Sequence, residues 1–201
     1  HILIVFDDKW YQGETDHINK FLDKAFYGIA NYDKPEYPNS KLDLKETVEA
    51  LDEISFDYFI VLAHIDSPNG LFNVLKGRTR EAFIGQEAFR KVLAVQKSAN
   101  ADNYKELCKL AKRPIAYVEG SDNAHVGIEA IGTGRVTYIK IGDFNFEALK
   151  YALTDLTYRV KPKTKPEIKN SYIKSIAFEG GLLDKTRVDF SPELNTLIGI
   201  R

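Results

Sequence analysis

Pro114-Ile115-Ala116-Tyr117-Val118-Glu119-Gly120-Ser121-Asp122-Asn123-Ala124-His125 is a short β-prone run that breaks into Gly-Ser-Asp and then a histidine. A carboxylate and an imidazole are delivered together just past the end of a strand. Where strands alternate with helices, chemistry collects at the strands' carboxyl ends, because loops there vary without disturbing the core. The plainer alternative is that Asp122 caps a turn and His125 only packs.

A second stretch repeats the pattern. Asp57-Tyr58-Phe59-Ile60-Val61-Leu62-Ala63-His64 is an apolar run of strand length that ends in a histidine and breaks at Pro68 and Gly70. The run His1-Ile2-Leu3-Ile4-Val5-Phe6 is a third, with its histidine at the start. Three of the four histidines thus flank expected strands. The fourth, His17, sits beside the stripe Ile18, Phe21, Leu22, Ala25, Phe26 and Ile29 of a helix expected over 14–30, and reads as a solvated flank.

Working outward, Asp43 with Glu46 forms a capping pair for a helix carrying Leu44, Val48, Leu51 and Ile54. Lys91 to Gln96 reads as a strand, and 101–112 as a helix closed by Pro114, with Cys108 on its apolar face. A strand at 135–141, a helix at 145–154 and a short strand at 156–160 follow. The alternation predicts an α/β chain of parallel strands wrapped by helices, as a barrel or as an open doubly wound sheet. Arg78 and Arg80, with Lys76, form a cationic cluster that can hold a phosphate, although such clusters are more often solvated faces.

His1 to Phe6, Ala63-His64 and Gly120-Ser121-Asp122 with His125, in that order and followed by Ile131-Gly132, resemble the later metal-ligand motifs of the PHP (polymerase and histidinol phosphatase) phosphoesterases. The segments Thr137-Tyr138-Ile139-Lys140, 146–153 and Tyr158-Arg159-Val160 are similar to the close of PHP domains fused to an ATPase, the TrlF-like group. The likeness spans about three quarters of the chain. It implies the later part of a distorted β/α barrel over 1–160. It also implies a divalent metal centre of Mn, Zn or Fe held by His1, His64, Asp122 and His125, with His64, Asp122 and His125 serving catalysis and Lys140 joining the arginines at phosphate. Imidazole and carboxylate together suit these metals, and clustered ions activate water and orient a phosphoester. In two places the sequence departs from the family. Two residues separate Asp122 from His125 where the family has one, and no His-x-His motif precedes His1.

Residues 161–171, rich in proline and lysine, read as a linker. Beyond it, 172–178, 186–190 and 194–199 alternate as strands and resemble the opening of SMC/RecF-type ATPases. Gly199 would be the first glycine of the phosphate-binding loop G-x-x-x-x-G-K-S/T. The resemblance places the rest of that loop, and its ATP and Mg, downstream. The plainer reading of the tail is a hairpin that closes the first domain.

Composition sets the outer limits. In 201 residues, 44% apolar content is enough for a core, and the net charge of −1 provides no global field to recruit nucleic acid. A single cysteine excludes a disulfide framework and makes a reducing cytoplasm the default setting. No apolar run reaches membrane-span length. Methionine is absent altogether, which fits a piece of a longer protein. Three functions are in view. One is a metal-dependent phosphoesterase coupled to an ATPase in nucleic-acid processing, with a related C–N hydrolase using similar ligands. The second is a non-catalytic PHP-like regulatory module of that ATPase. The third is an ATPase whose working parts lie beyond Arg201. Self-association is left open.

Overall fold

The computed structural model describes residues 1–30, 39–96, 100–120, 128–162, 171–192 and 195. The chain divides into two compact units, 1–164 and 165–201. The first is a mixed α/β unit built on the sheet β1 (Ile2–Phe6), β2 (Tyr58–Leu62), β3 (Val92–Gln96) and β4 (Ala116–Val118), in that order. β2, β3 and β4 run parallel, as the alternation predicts.

β1 departs from that expectation. It pairs antiparallel with β2, Ile2 opposite Leu62 and Phe6 opposite Tyr58. The physical consequence is that the start of β1 and the end of β2 share one edge. Among the described residues the sheet is open and does not close into a barrel.

Alternate side chains divide between the two faces, as the period of a strand requires. Tyr58, Ile60, Leu62, Val92 and Val95 join one core with Phe21 and Ala25 of α1 (His17–Ala25), Val48 and Leu51 of α2 (Leu44–Asp52) and Leu107. Phe59, Ala94 and Ala116 face the other way, onto Leu153 and Val160. The sheet is therefore covered on both sides, which explains why its central strands are almost continuously apolar.

Beyond β2 come α3 (Leu71–Val74) and α4 (Gly77–Gly85), then β3 and α5 (Ala101–Ala111). After β4 lie β5 (Thr137–Ile139), α6 (Phe146–Thr154), α7 (Leu156–Arg159) and β6 (Val160–Pro162). The strand expected over 156–160 is thus one helical turn followed by a strand. Arg159 pairs with Asp155 at 2.9 Å in i,i+4 register, which supports that turn. β6 pairs antiparallel with β5, and its Lys161 and Pro162 fall in the expected linker.

The helices start where the sequence offers caps. Asp43 accepts from the Glu46 amide at 2.8 Å while Glu46 accepts from the Asp43 amide at 2.9 Å, a complete capping box. Asn145 caps α6 through the Ala148 amide at 2.8 Å. Trp10 is fully buried against Phe6, Phe56 and Tyr58, with its indole donating to the Asp57 carbonyl at 2.7 Å. Cys108 is half-buried against the same core. His17 meets the Phe56 ring edge-on at 5.2 Å and is half-buried, less solvated than expected.

The second unit contains an antiparallel pair, β7 (Ser175–Ala177) and β8 (Arg187–Asp189), close to the first two strands expected there. The third, 194–199, lies outside the described residues apart from Asn195. No helix among the described residues is long and apolar enough to cross a membrane.

Candidate metal centre

The antiparallel β1–β2 pairing decides the geometry of the site. The Ala63 amide donates to the His1 carbonyl at 3.1 Å, extending the ladder to the end of both strands. This places the imidazoles of His1 and His64 edge to face, with ring centroids 6.0 Å apart. Two imidazoles bound to one ion through Zn–N bonds of about 2.0–2.1 Å have centroids on the order of 5–6 Å apart. Residues 63 positions apart in sequence are thus set near the spacing a shared ion requires.

The backbone at His64 is built to hold that position. His64 is left-handed at φ 49°, turning the chain sharply out of β2. The His64 carbonyl accepts from the Ser67 amide at 2.9 Å, and the Ile65 carbonyl from Phe72 at 3.0 Å. Gly70 closes against these two carbonyls, where any side chain would collide. Asp66 anchors the loop to the start of α5, accepting from the Asn100 amide at 3.1 Å and from Asn103 Nδ2 at 2.6 Å. Asp66 is thus a positioning residue that the sequence reading left unassigned.

A second overlooked residue is Glu119. It follows β4 directly, at the same carboxyl edge as His64, and is only 5% exposed. Its backbone is pinned by Thr137, whose hydroxyl accepts from the Glu119 amide at 2.6 Å and donates to the Glu119 carbonyl at 2.9 Å. A carboxylate this buried is uncommon, and here it lies at the sheet edge where the His64 loop also begins. The signal was present in the sequence: Glu119 is the acid that ends the apolar run Ile115–Val118.

Asp122 and His125 lie outside the described residues, as does Gly199. Among the described residues, no group of three or more His, Cys, Asp or Glu side chains stands close enough to hold an ion. The donor set in view is therefore two imidazoles, suited to Zn, Mn or Fe but short of a complete shell.

The proposed phosphate cations are dispersed. Arg80 is clamped to Glu106 at 2.6 Å, its guanidinium lying 4.5 Å from the centre of the Phe72 ring, so it joins α4 to α5. Arg78 is exposed in the first turn of α4. Lys140 is exposed beyond β5, its amide donating to the Arg159 carbonyl at 2.8 Å. An apolar cavity of about 220 Å³ opens beside His1, walled by Leu62, Ile65, Leu71 and Phe83. No protein-family model matches this chain, and neither a curated protein nor a solved structure does.

Proposed function

We propose that residues 1–160 are a PHP-like metal-dependent phosphoesterase domain, the later part of a distorted β/α barrel. In this reading His1 and His64, with Asp122 and His125, hold Mn, Zn or Fe at the carboxyl edge of the sheet. The observation that carries it is the pairing of His1 and His64 across antiparallel strands, 6.0 Å between rings. When bound, such ions polarise a phosphoryl oxygen and activate water, so no side-chain nucleophile is required. The chain's own part is to present two imidazoles at the end of the β1–β2 ladder and to offer the cavity beside His1 to an apolar portion of the substrate. The second unit is read as the first strands of a P-loop ATPase domain that works with the hydrolase in nucleic-acid processing in the cytoplasm.

The second reading, a non-catalytic regulatory module of that ATPase, is favoured by one observation. Two residues separate Asp122 from His125 where the PHP motif has one, a spacing less suited to placing both on one metal cluster.

Metal binding tests the ligands, and hydrolysis separates the two readings. His64→Asn keeps a side chain that tolerates the left-handed backbone while removing the ligand nitrogen. Titration with Zn or Mn followed by calorimetry is expected to show tight binding in the parent chain and at least tenfold weaker binding in His64→Asn, with unchanged circular dichroism. Chelator-sensitive hydrolysis of an aryl phosphate would then establish the enzyme. Equal metal affinity in the two chains sinks the ligand assignment, and metal binding without hydrolysis favours the regulatory module.

A further inference from the structure

A second cavity lies at the opposite end of the sheet. It measures about 670 Å³, within the range of small-molecule pockets. It opens where β3 and β4 begin, beside Pro114 and the last turn of α5, whereas His64 lies at the end of β2. Five residues of β3 at about 3.3 Å each put roughly 16 Å between the two ends of the sheet. This cavity is therefore separate from the candidate metal centre.

Its lining has two characters. Phe89, Leu93, Leu110 and Leu153 provide an apolar floor. Arg90, Lys112 and Arg113 provide cations, against a single carboxylate, Glu87. Arg113 is half-buried and fixed, donating to the carbonyls of Phe89 at 2.9 Å and Val92 at 2.6 Å. Burial, together with the charge of Arg90, pulls its guanidinium below the usual arginine range. Two like charges have thus been gathered at one rim. Glu87 does little to offset them, since its 2.9 Å pair with Arg90 is 77% exposed on both sides and such pairs are weak.

Lys112 adds a third cation to the rim. It ends α5 in the left-handed conformation, φ 53°, the position that helices normally give to glycine. A lysine there carries a backbone strain that glycine would avoid. Its side chain lines the cleft, so Lys112→Gly relieves the backbone and removes a charge from the rim in one change.

We propose that this cleft binds an amphipathic anion, an aromatic or compact apolar body bearing a phosphate or carboxylate. The body lies on Phe89, Leu93, Leu110 and Leu153, and the head meets Arg90, Lys112 and Arg113. The site is a ligand site in its own right and does not depend on the metal reading.

The test uses three probes on the full chain, followed by backbone amide shifts in NMR: 1-naphthalenesulfonate, neutral 1-naphthalenemethanol and inorganic phosphate. The sulfonate is expected to bind at least tenfold tighter than either half-probe, moving the amides of Phe89, Leu93 and Leu110. Lys112→Gly is expected to weaken it about three- to fivefold, as loss of one exposed charge does, while raising the melting temperature. A residue serving structure alone would not move the two readouts in opposite directions. Thr154→Trp, which fills the cleft from an exposed lining position, is expected to abolish binding. The proposal is overturned if the neutral probe binds as tightly as the sulfonate, if phosphate alone does, if Lys112→Gly leaves affinity unchanged, or if binding survives Thr154→Trp.

Discussion

A Cβ built on Gly70 would stand 2.2 Å from the His64 carbonyl oxygen and 2.6 Å from that of Ile65. The backbone at Gly70 is ordinary, φ −84°, so the constraint is space and not torsion. Both obstructing atoms are main chain and cannot swing aside. Gly70→Ala is therefore expected to cost about 1–3 kcal/mol, the usual range for overpacking, and to displace the His64 loop. Urea denaturation measures the first effect, and metal titration the second.

Tyr58 gives a pH prediction at the same scale. It is 1% exposed and donates to Asp52 at 2.9 Å, and burial first, then that bond, push its hydroxyl well above the ordinary value of 10.0. Tyr104, donating to the Ile115 carbonyl at 2.6 Å, is raised chiefly by burial as well. Above about pH 10 the unfolded chain loses these protons while the folded chain keeps them. Fewer protons are then bound in the unfolded state, and stability falls as pH rises. Each group contributes a slope of up to about 1.4 kcal/mol per pH unit. Tyr58→Phe is expected to remove one such contribution between pH 10 and 12, at a cost near neutrality of about 0.5–1.5 kcal/mol for the lost hydrogen bonds. Denaturation at pH 7.5 and pH 11 tests both signs.

At the scale of elements, α2 begins at the most complete cap among the described helices. Asp43→Ala removes the side-chain half of the box, leaving the Glu46 amide without its acceptor, and is expected to cost about 1 kcal/mol, read as a lower urea midpoint with an unchanged slope. This box was visible in the sequence because capping is local: two residues, three apart, carry it. The apolar runs of β2, β3 and β4 were legible for the same reason, since burial on both faces leaves a continuous apolar string. The direction of β1 was not. Nothing within Ile2–Phe6 distinguishes a parallel from an antiparallel neighbour, because that choice is made by β2, which begins at Tyr58, far along the chain. The turn at Leu156–Arg159 was also missed. Its apolar Leu156 suits either state, and the Asp155–Arg159 pair that favours the helix is an i,i+4 signal in a segment too short to show a period. The histidines were visible as strand-end residues, but their meeting depends on the β1 direction and so could not be read from either run alone. Asp66 escaped notice because its partners, Asn100 and Asn103, are more than 30 positions away.

For the whole molecule, metal binding and folding are linked. A ligand that binds only the folded chain stabilises it by about 2.7 kcal/mol at 100 times its Kd. With a melting shift of about 2–4 °C per kcal/mol for a domain of this size, saturating Zn or Mn is expected to raise the melting temperature of the first unit by roughly 5–10 °C. Differential scanning calorimetry with and without chelator checks this, and His64→Asn is expected to lose most of the gain. The amphipathic-anion cleft gives an independent stabilisation, since it is lined by other residues at the far end of the sheet.

Trp10 is the only tryptophan in the 201 residues, and it lies fully buried under Phe6, Phe56 and Tyr58 in the first unit. Its indole emission is consequently a single-site optical probe. Excitation at the red edge of the protein band reports the packing of β1 against β2, the same pairing that brings His1 to His64, while residues 165–201 contribute no indole signal.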